Sequence, residues 1–184
     1  MLSADQKKRL LEVARAAVRA AVEGREYRPE TDDPGLQQPG AAFVTLRNGG
    51  ELRGCIGTVR PESPLIQAVA EMARAAATSD YRFSSVTRQE VEALQIEISV
   101  LTPAEPVKDF AEIAIGVHGL IVEQGERRGL LLPQVAPEWG WDREEFLDHT
   151  CLKAGLPREA WRQGARVLKF SAEVFGEEEE AKTR

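Results

Sequence analysis

The chain is short of the residues that build disulfide and metal frameworks. Its 184 residues include two cysteines, Cys55 and Cys151, and two histidines, His118 and His149. Cysteines so few and so far apart do not form a disulfide framework, and two cannot hold a four-iron cluster, so both read as free thiols. The four ligand-type residues lack the close Cys-x2-Cys or His-x3-His pairing of zinc sites, and no metal site is expected. Long apolar runs are absent too, which excludes a membrane-spanning helix. The opening Met1-Leu2-Ser3-Ala4-Asp5-Gln6 leads into lysines instead of an apolar core, so it is not a signal peptide. A cytoplasmic location is expected. Positive charge is in deficit: 24 Lys and Arg against 30 Asp and Glu leave a net charge of −6. That balance disfavours nucleic acid as a partner, and the basic runs Lys7-Lys8-Arg9 and Arg127-Arg128 each sit beside acids. No glycine loop of the phosphate-binding kind is present; Gly49, Gly50, Gly54 and Gly57 fall in a hairpin.

What remains is the composition of a folded domain, 42% hydrophobic and 29% charged with both signs interspersed. Ser3 and Gln6 form a capping box for an amphipathic helix over 3–23, ended by Gly24. Residues 25–40, with Pro29, Pro34 and Pro39, read as a long loop. Two strands, 41–47 and 51–58, are joined by Asn48-Gly49-Gly50, residues that accept the positive φ of a hairpin turn. A helix opens at Ser63-Pro64 and runs to about Thr78. Thr87 with Glu90 caps a short helix, and residues 94–101 alternate as a strand, with Ile96, Ile98 and Val100 facing one way and Gln95, Glu97 and Ser99 the other. A second hairpin is expected from His118 to Leu132 through Gly125–Gly129. A helix over 142–154 starts at the capping pair Asp142 and Glu145, a short helix covers 157–163, and a final strand covers 165–175. Helices mixed with hairpins point to an α+β fold: a mainly antiparallel sheet flanked by helices, with a smaller lobe.

The densest chemical signal is Leu52-Arg53-Gly54-Cys55-Ile56-Gly57. Residues i and i+2 of a strand share a face, so Arg53 and Cys55 should project together, and a nearby cation favours the nucleophilic thiolate. Gly54 and Gly57 leave open backbone for close approach by a ligand or another chain. His118, after Gly116 and before Gly119, is the candidate base for a cysteine–histidine pair. Glu97 is the carboxylate able to orient His118 or pair with Arg53, and Gln134 could position a ligand by amide hydrogen bonds. Arg53, Cys55, Glu97 and His118 are expected to converge, with strands 51–58 and 94–101 in one sheet. Cys151 falls on the apolar face of its helix and reads as core, and His149 as a partner of Glu145. Trp139, Trp141, Tyr81 and Phe83 read as core aromatics.

The Leu52–Gly57 run resembles the hallmark of the AMMECR domain family. The resemblance continues through Phe43–Leu46, Glu97–Pro103, Gly116 with His118–Leu120, Gly129–Val135, Trp141-Asp142 with Phe146-Leu147, and Lys153–Leu156, in one collinear order over about residues 5–175. It implies a single domain over 1–176 with a smaller lobe within 105–160, and the composition of 177–184 reads as a charged tail. It also implies relatives fused to, or encoded beside, Memo-type proteins and radical-SAM enzymes. It settles neither a reaction nor a cofactor. Two readings follow. In one, a cleft lined by Arg53, Cys55, Glu97, His118 and Gln134 binds a small molecule, with thiol-dependent catalysis. In the other, the chain is a non-catalytic docking partner for a Memo-type or radical-SAM enzyme.

Overall fold

The structure, a computed structural model, describes residues 1–177; the rest of the expected charged tail lies outside the described residues. The chain forms two compact units. One comprises Met1–Leu101 with the segment from Glu173 onward, and the other comprises Thr102–Ala172.

In the first unit, α1 (Ala4–Val22) begins at the capping box. Ser3 Oγ accepts the Gln6 N–H at 3.2 Å, and Gln6 Oε1 accepts the Ser3 N–H at 2.9 Å. The loop that follows contains a single helical turn, α2 (Pro34–Gln37), capped by Asp33 and anchored by buried Leu36. Strands β1 (Ala41–Asn48) and β2 (Glu51–Gly57) form the hairpin, turning through Gly49 and Gly50 at φ of 59° and 86°. Helix α3 (Leu65–Thr78) follows, and β3 (Leu94–Leu101) is preceded by one tight turn at Val91–Ala93. The sheet order is β2-β1-β3, all antiparallel.

One face of this sheet carries Ala42, Val44 and Leu46 of β1 with Ile96 and Ile98 of β3, each no more than 1% exposed. They pack against the apolar stripes of α1 and α3. Burying each large side chain is worth roughly 1.5–3 kcal/mol, so this layer fixes the strand register. The alternate residues Phe43, Thr45 and Arg47, with Gln95, Glu97 and Ser99, necessarily point to the opposite face.

The second unit holds β4 (Glu105–Pro106), β5 (His118–Gln124), β6 (Arg127–Leu131), α4 (Val135–Trp139), α5 (Arg143–Lys153) and the start of β7 (Arg166–Gly176). Pairings β5–β6, β5–β7 and β4–β7 are antiparallel, which completes an α+β architecture. The β5–β6 turn is tighter than the sequence suggests, with strand pairing resumed at Arg127. Leu120, Val122, Phe146, Leu147 and Cys151 form the core, each fully buried. The Asp142–Glu145 capping box forms as expected. The entrance and exit of the unit are tied together: the Thr102 N–H donates to Ser171 O, and the Ser171 N–H donates to Thr102 Oγ1, both at 2.8 Å.

Strand β7 then continues into the first unit. Phe175 joins that unit's core, Glu173 accepts the Leu2 N–H at 3.0 Å, and Lys7 lies 2.7 Å from Glu173. Glu177 pairs with Arg15 and accepts the Ile96 N–H. Two aromatics read as core are instead at the surface, Tyr81 at 95% and Trp139 at 70% exposure. Tyr81 sits in the loop after α3, and Trp139 ends a five-residue helix whose buried position is Ala136.

Candidate functional site

Cys55 lies on β2 directly opposite Thr45 of β1, and Thr45 in turn lies opposite Glu97 of β3. The three form one row across the sheet, on the face away from α1 and α3, with Cys55 and Glu97 two strand spacings, roughly 10 Å, apart. The expectation that strands 51–58 and 94–101 share a sheet therefore holds, with β1 between them. Thr45 Oγ1 is 3.2 Å from Cys55 Sγ. The hydroxyl is placed to donate to the sulfur when the thiolate forms. Cys55 is half-buried, whereas Cys151 is fully buried in the second unit's core. Burial pushes the Cys151 thiol up from its ordinary range.

Arg53 does not serve the thiol. Its Nε donates to Glu90 Oε1 at 2.8 Å, its Nη1 to Ser84 O at 2.8 Å, and its Nη2 to Ser85 O and Glu90 Oε2 at 3.3 Å each. The guanidinium is spent on fastening β2 to the segment 84–90. Glu90 also accepts the Thr87 N–H and hydroxyl, at 2.8 and 2.9 Å. These bonds, Arg53 first, hold the Glu90 carboxyl down at about 2.

A pH dependence follows from that shift. A carboxyl depressed in the folded state contributes stability that is complete above its unfolded value, about 4.3, and is lost as pH falls toward 2. Urea midpoints should therefore drop between pH 5 and pH 2.5, and the drop should be visibly shallower in Glu90→Gln. An unchanged slope in that variant removes Glu90 from the acid response.

The cation beside Cys55 is Arg82, in the loop after α3, and sequence reasoning missed it. β2 is an edge strand, so Cys55 turns its own N–H and C=O away from β1. Asp80 Oδ2 accepts the Cys55 N–H at 2.9 Å, and Arg82 Nη2 donates to Cys55 O at 3.3 Å. The two side chains are joined by Arg82 Nε to Asp80 Oδ1 at 2.9 Å and Nη2 to Oδ2 at 2.7 Å. Together they supply one acceptor and one donor where a neighbouring strand would supply them. Asp80 is buried, and hydrogen bonds from Arg82, reinforced by the Cys55 N–H, hold its carboxyl far below the usual carboxylate range against the effect of burial. The pairing raises Arg82 in turn, with the Cys55 charge a lesser contributor. The only sequence signal was a lone Asp-x-Arg between a helix and a strand.

The two glycines of the hallmark run are occupied from within. A Cβ on Gly54 would come within 2.2 Å of the Ala76 carbonyl oxygen of α3, and one on Gly57 within 2.2 Å of the Phe43 ring. Their open backbone is filled by a helix and an aromatic side chain. Glu97 lines a small pocket of about 200 Å³ with Arg47, Gln95 and Gly176.

His118 and Gln134 belong to the second unit. The His118 Nδ1 accepts the Ala114 N–H at 3.1 Å, which leaves the proton of the neutral ring on Nε2. Gln134 is exposed and precedes α4 without a side-chain cap bond. His149 is not a partner of Glu145. It stacks on Trp141 and lies 3.2 Å from Arg158 Nη2, while Glu145 is used by the Asp142 N–H. Among the described residues, no three His, Cys, Asp or Glu side chains group as metal ligands. No described helix is long and apolar enough to cross a membrane.

A family model described as AMMECR1 matches residues 11–175. A protein of Methanothermobacter thermautotrophicus is 47% identical, the match covering 96% of this chain and 97% of that one. A protein of Thermofilum pendens is 44% identical over 96% of this chain and 92% of its own. The crystal structure of an uncharacterized protein from Pyrococcus horikoshii superposes with a TM-score of 0.77 at 43% identity, covering 92% of this chain and 90% of that one.

Proposed function

The chain belongs to the AMMECR1 family, and we propose that the face of its first unit around Cys55 binds a small molecule or modified residue through the thiol. The observation that carries this reading is the placement of Cys55. Its backbone is fixed by Asp80 and Arg82, its sulfur touches Thr45 Oγ1, and it stands in a polar row with Glu97 on the face away from α1 and α3. A thiol so held is pre-oriented for a ligand that arrives over this face. Glu97 supplies a carboxylate at the far end of the row, and the reducing cytoplasm suits a free thiol. His118 and Gln134 are candidate groups of the second unit in their own right.

Alkylation tests it. Iodoacetamide at neutral pH should modify Cys55 at least tenfold faster than Cys151 in the folded protein, read by peptide mass spectrometry. Equal rates, or Cys151 first, would sink the thiol reading. Purification from cells should recover a mass adduct on the wild type that is missing from Cys55→Ser.

One observation favours a second reading, docking of a protein such as a Memo-type or radical-SAM enzyme. β2 is an edge strand, and Tyr81 projects into solvent between the two residues that cap it. Loss of a co-purifying protein on Tyr81→Ala, with Cys55 labelling unchanged, would move that reading ahead.

A further inference from the structure

The second unit displays an aromatic stack that its core does not use. Trp139, the last residue of α4, is 70% exposed. Gly140 follows at φ 67°, a left-handed residue that reverses the chain so that Trp141 lies alongside. The two indoles are 6.0 Å apart and 18° from parallel, and Trp141 stacks in turn on His149 at 3.8 Å and 4°. Trp141 is half-buried and packs on the core, and His149 is held from its far edge by Arg158. Trp139 lies on the solvent side of this stack and keeps most of its apolar surface in water, a cost that packing does not repay.

The charge around the indoles has one prevailing sign. Residues 138–145 contain Glu138, Asp142, Glu144 and Glu145 against a single Arg143. Arg143 donates through Nε to Ile113 O, and Glu144 is neutralised by Arg162 at 2.7 Å. Arg158 is engaged at the opposite end of the stack, with His149 and with Asp148 at 3.7 Å. The Glu138 carboxylate, next to the exposed indole, has no hydrogen-bond or ion-pair partner among the described residues, its backbone N–H alone being engaged, by Gln134 O. An indole face is the strongest aromatic acceptor for a cation, and adjacent carboxylates deepen the same potential. Phosphate-bearing ligands are repelled by it.

We propose that Trp139, backed by Trp141 and flanked by Glu138, is a binding platform for an organic cation, a guanidinium or alkylammonium group. The cation lies over the free indole face, and Glu138 supplies the counter-charge. This site is independent of Cys55 and of any thiol chemistry there.

Titration of the full chain with arginine amide, followed by tryptophan fluorescence and by the indole N–H signals in NMR, tests the proposal. The expected result is a saturable response that is at least fivefold weaker in Trp139→Ala, about twofold to fourfold weaker in Glu138→Gln, and suppressed by salt. Citrulline amide, which keeps the shape and loses the charge, should bind at least tenfold more weakly. An arginine-containing hexapeptide distinguishes the source. Tighter binding than arginine amide assigns the platform to a partner protein's side chain, and equal binding assigns it to a free small cation. A response that does not saturate, that citrulline amide reproduces, or that survives in Trp139→Ala overturns the proposal. Because Trp139 is mostly in solvent, its alanine variant keeps the fold, so a lost response cannot be ascribed to unfolding.

Discussion

Alanine at position 54 should lower stability by about 3 kcal/mol, or roughly 6–12 °C in melting temperature for a chain of this size. The added methyl would sit 2.2 Å from the Ala76 carbonyl oxygen, where about 3.4 Å is needed. A backbone carbonyl cannot rotate aside as a side chain can. Relief requires α3 to move away from β2 by about 1 Å, which opens the alanine-rich contact of that helix with the sheet. Gly57→Ala makes the informative comparison, because its methyl meets the Phe43 ring at 2.2 Å. A ring can change rotamer, so the cost there should be smaller, and Phe43→Ala in the same chain should recover part of it. The check is a set of urea or thermal melts on wild type and these three variants. A Gly54→Ala protein within about 0.5 kcal/mol of wild type would show that α3 yields freely.

Asp80→Ala should cost about 2–3 kcal/mol and should also speed alkylation of Cys55. The substitution leaves the Cys55 N–H without its acceptor and frees Arg82 from its bidentate partner. An orphaned buried donor alone costs about 1–3 kcal/mol. With the clamp gone, the edge of β2 loosens around Cys55, so the thiol spends more time within reach of reagent. Asp80→Asn should fall between the two proteins. Its amide oxygen can still accept from Cys55, but only one oxygen remains to receive Arg82. Denaturant melts and iodoacetamide rates on the same samples provide the measurement. Stability lost with no change in labelling would confine Asp80 to a structural role, and no change in either would mean that water replaces it.

Local grammar accounts for most of what the sequence made legible. The Ser3–Gln6 and Asp142–Glu145 capping boxes, the Asn48-Gly49-Gly50 turn and the alternation over 94–101 each depend on neighbours within a few residues, and each forms where read. The same alternation put Glu97 on the face opposite Ile96 and Ile98, the face that Cys55 shares. The elements missed are the ones too short to show a period: α2 of four residues, β4 of two and α4 of five. The site was read less well, for a different reason. Strand periodicity places Arg53 near Cys55 but says nothing about Glu90, 37 positions away, which captures its charge. Likewise Asp80 reaches Cys55 across 25 positions, a meeting set by the path of the chain after α3 and by no local pattern. Single unpaired charges in a loop carry no mark of the partner they will find.

The course of β7 bears on the order in which the chain can fold during synthesis. Residues Thr102–Ala172 form a continuous unit, closed at its mouth by Thr102 and Ser171, and are complete once Ala172 has left the ribosome. The first unit, although made first, must wait. Its core needs Phe175, its N-terminal segment is held by Glu173 across 171 positions, and its first helix is held by Glu177 across 162. Until those last residues emerge, the edge of β3 and the start of α1 lack their partners. The unit that carries Cys55 therefore closes only through contacts spanning nearly the whole described chain, and the closing of so long a loop is the slow part of its assembly.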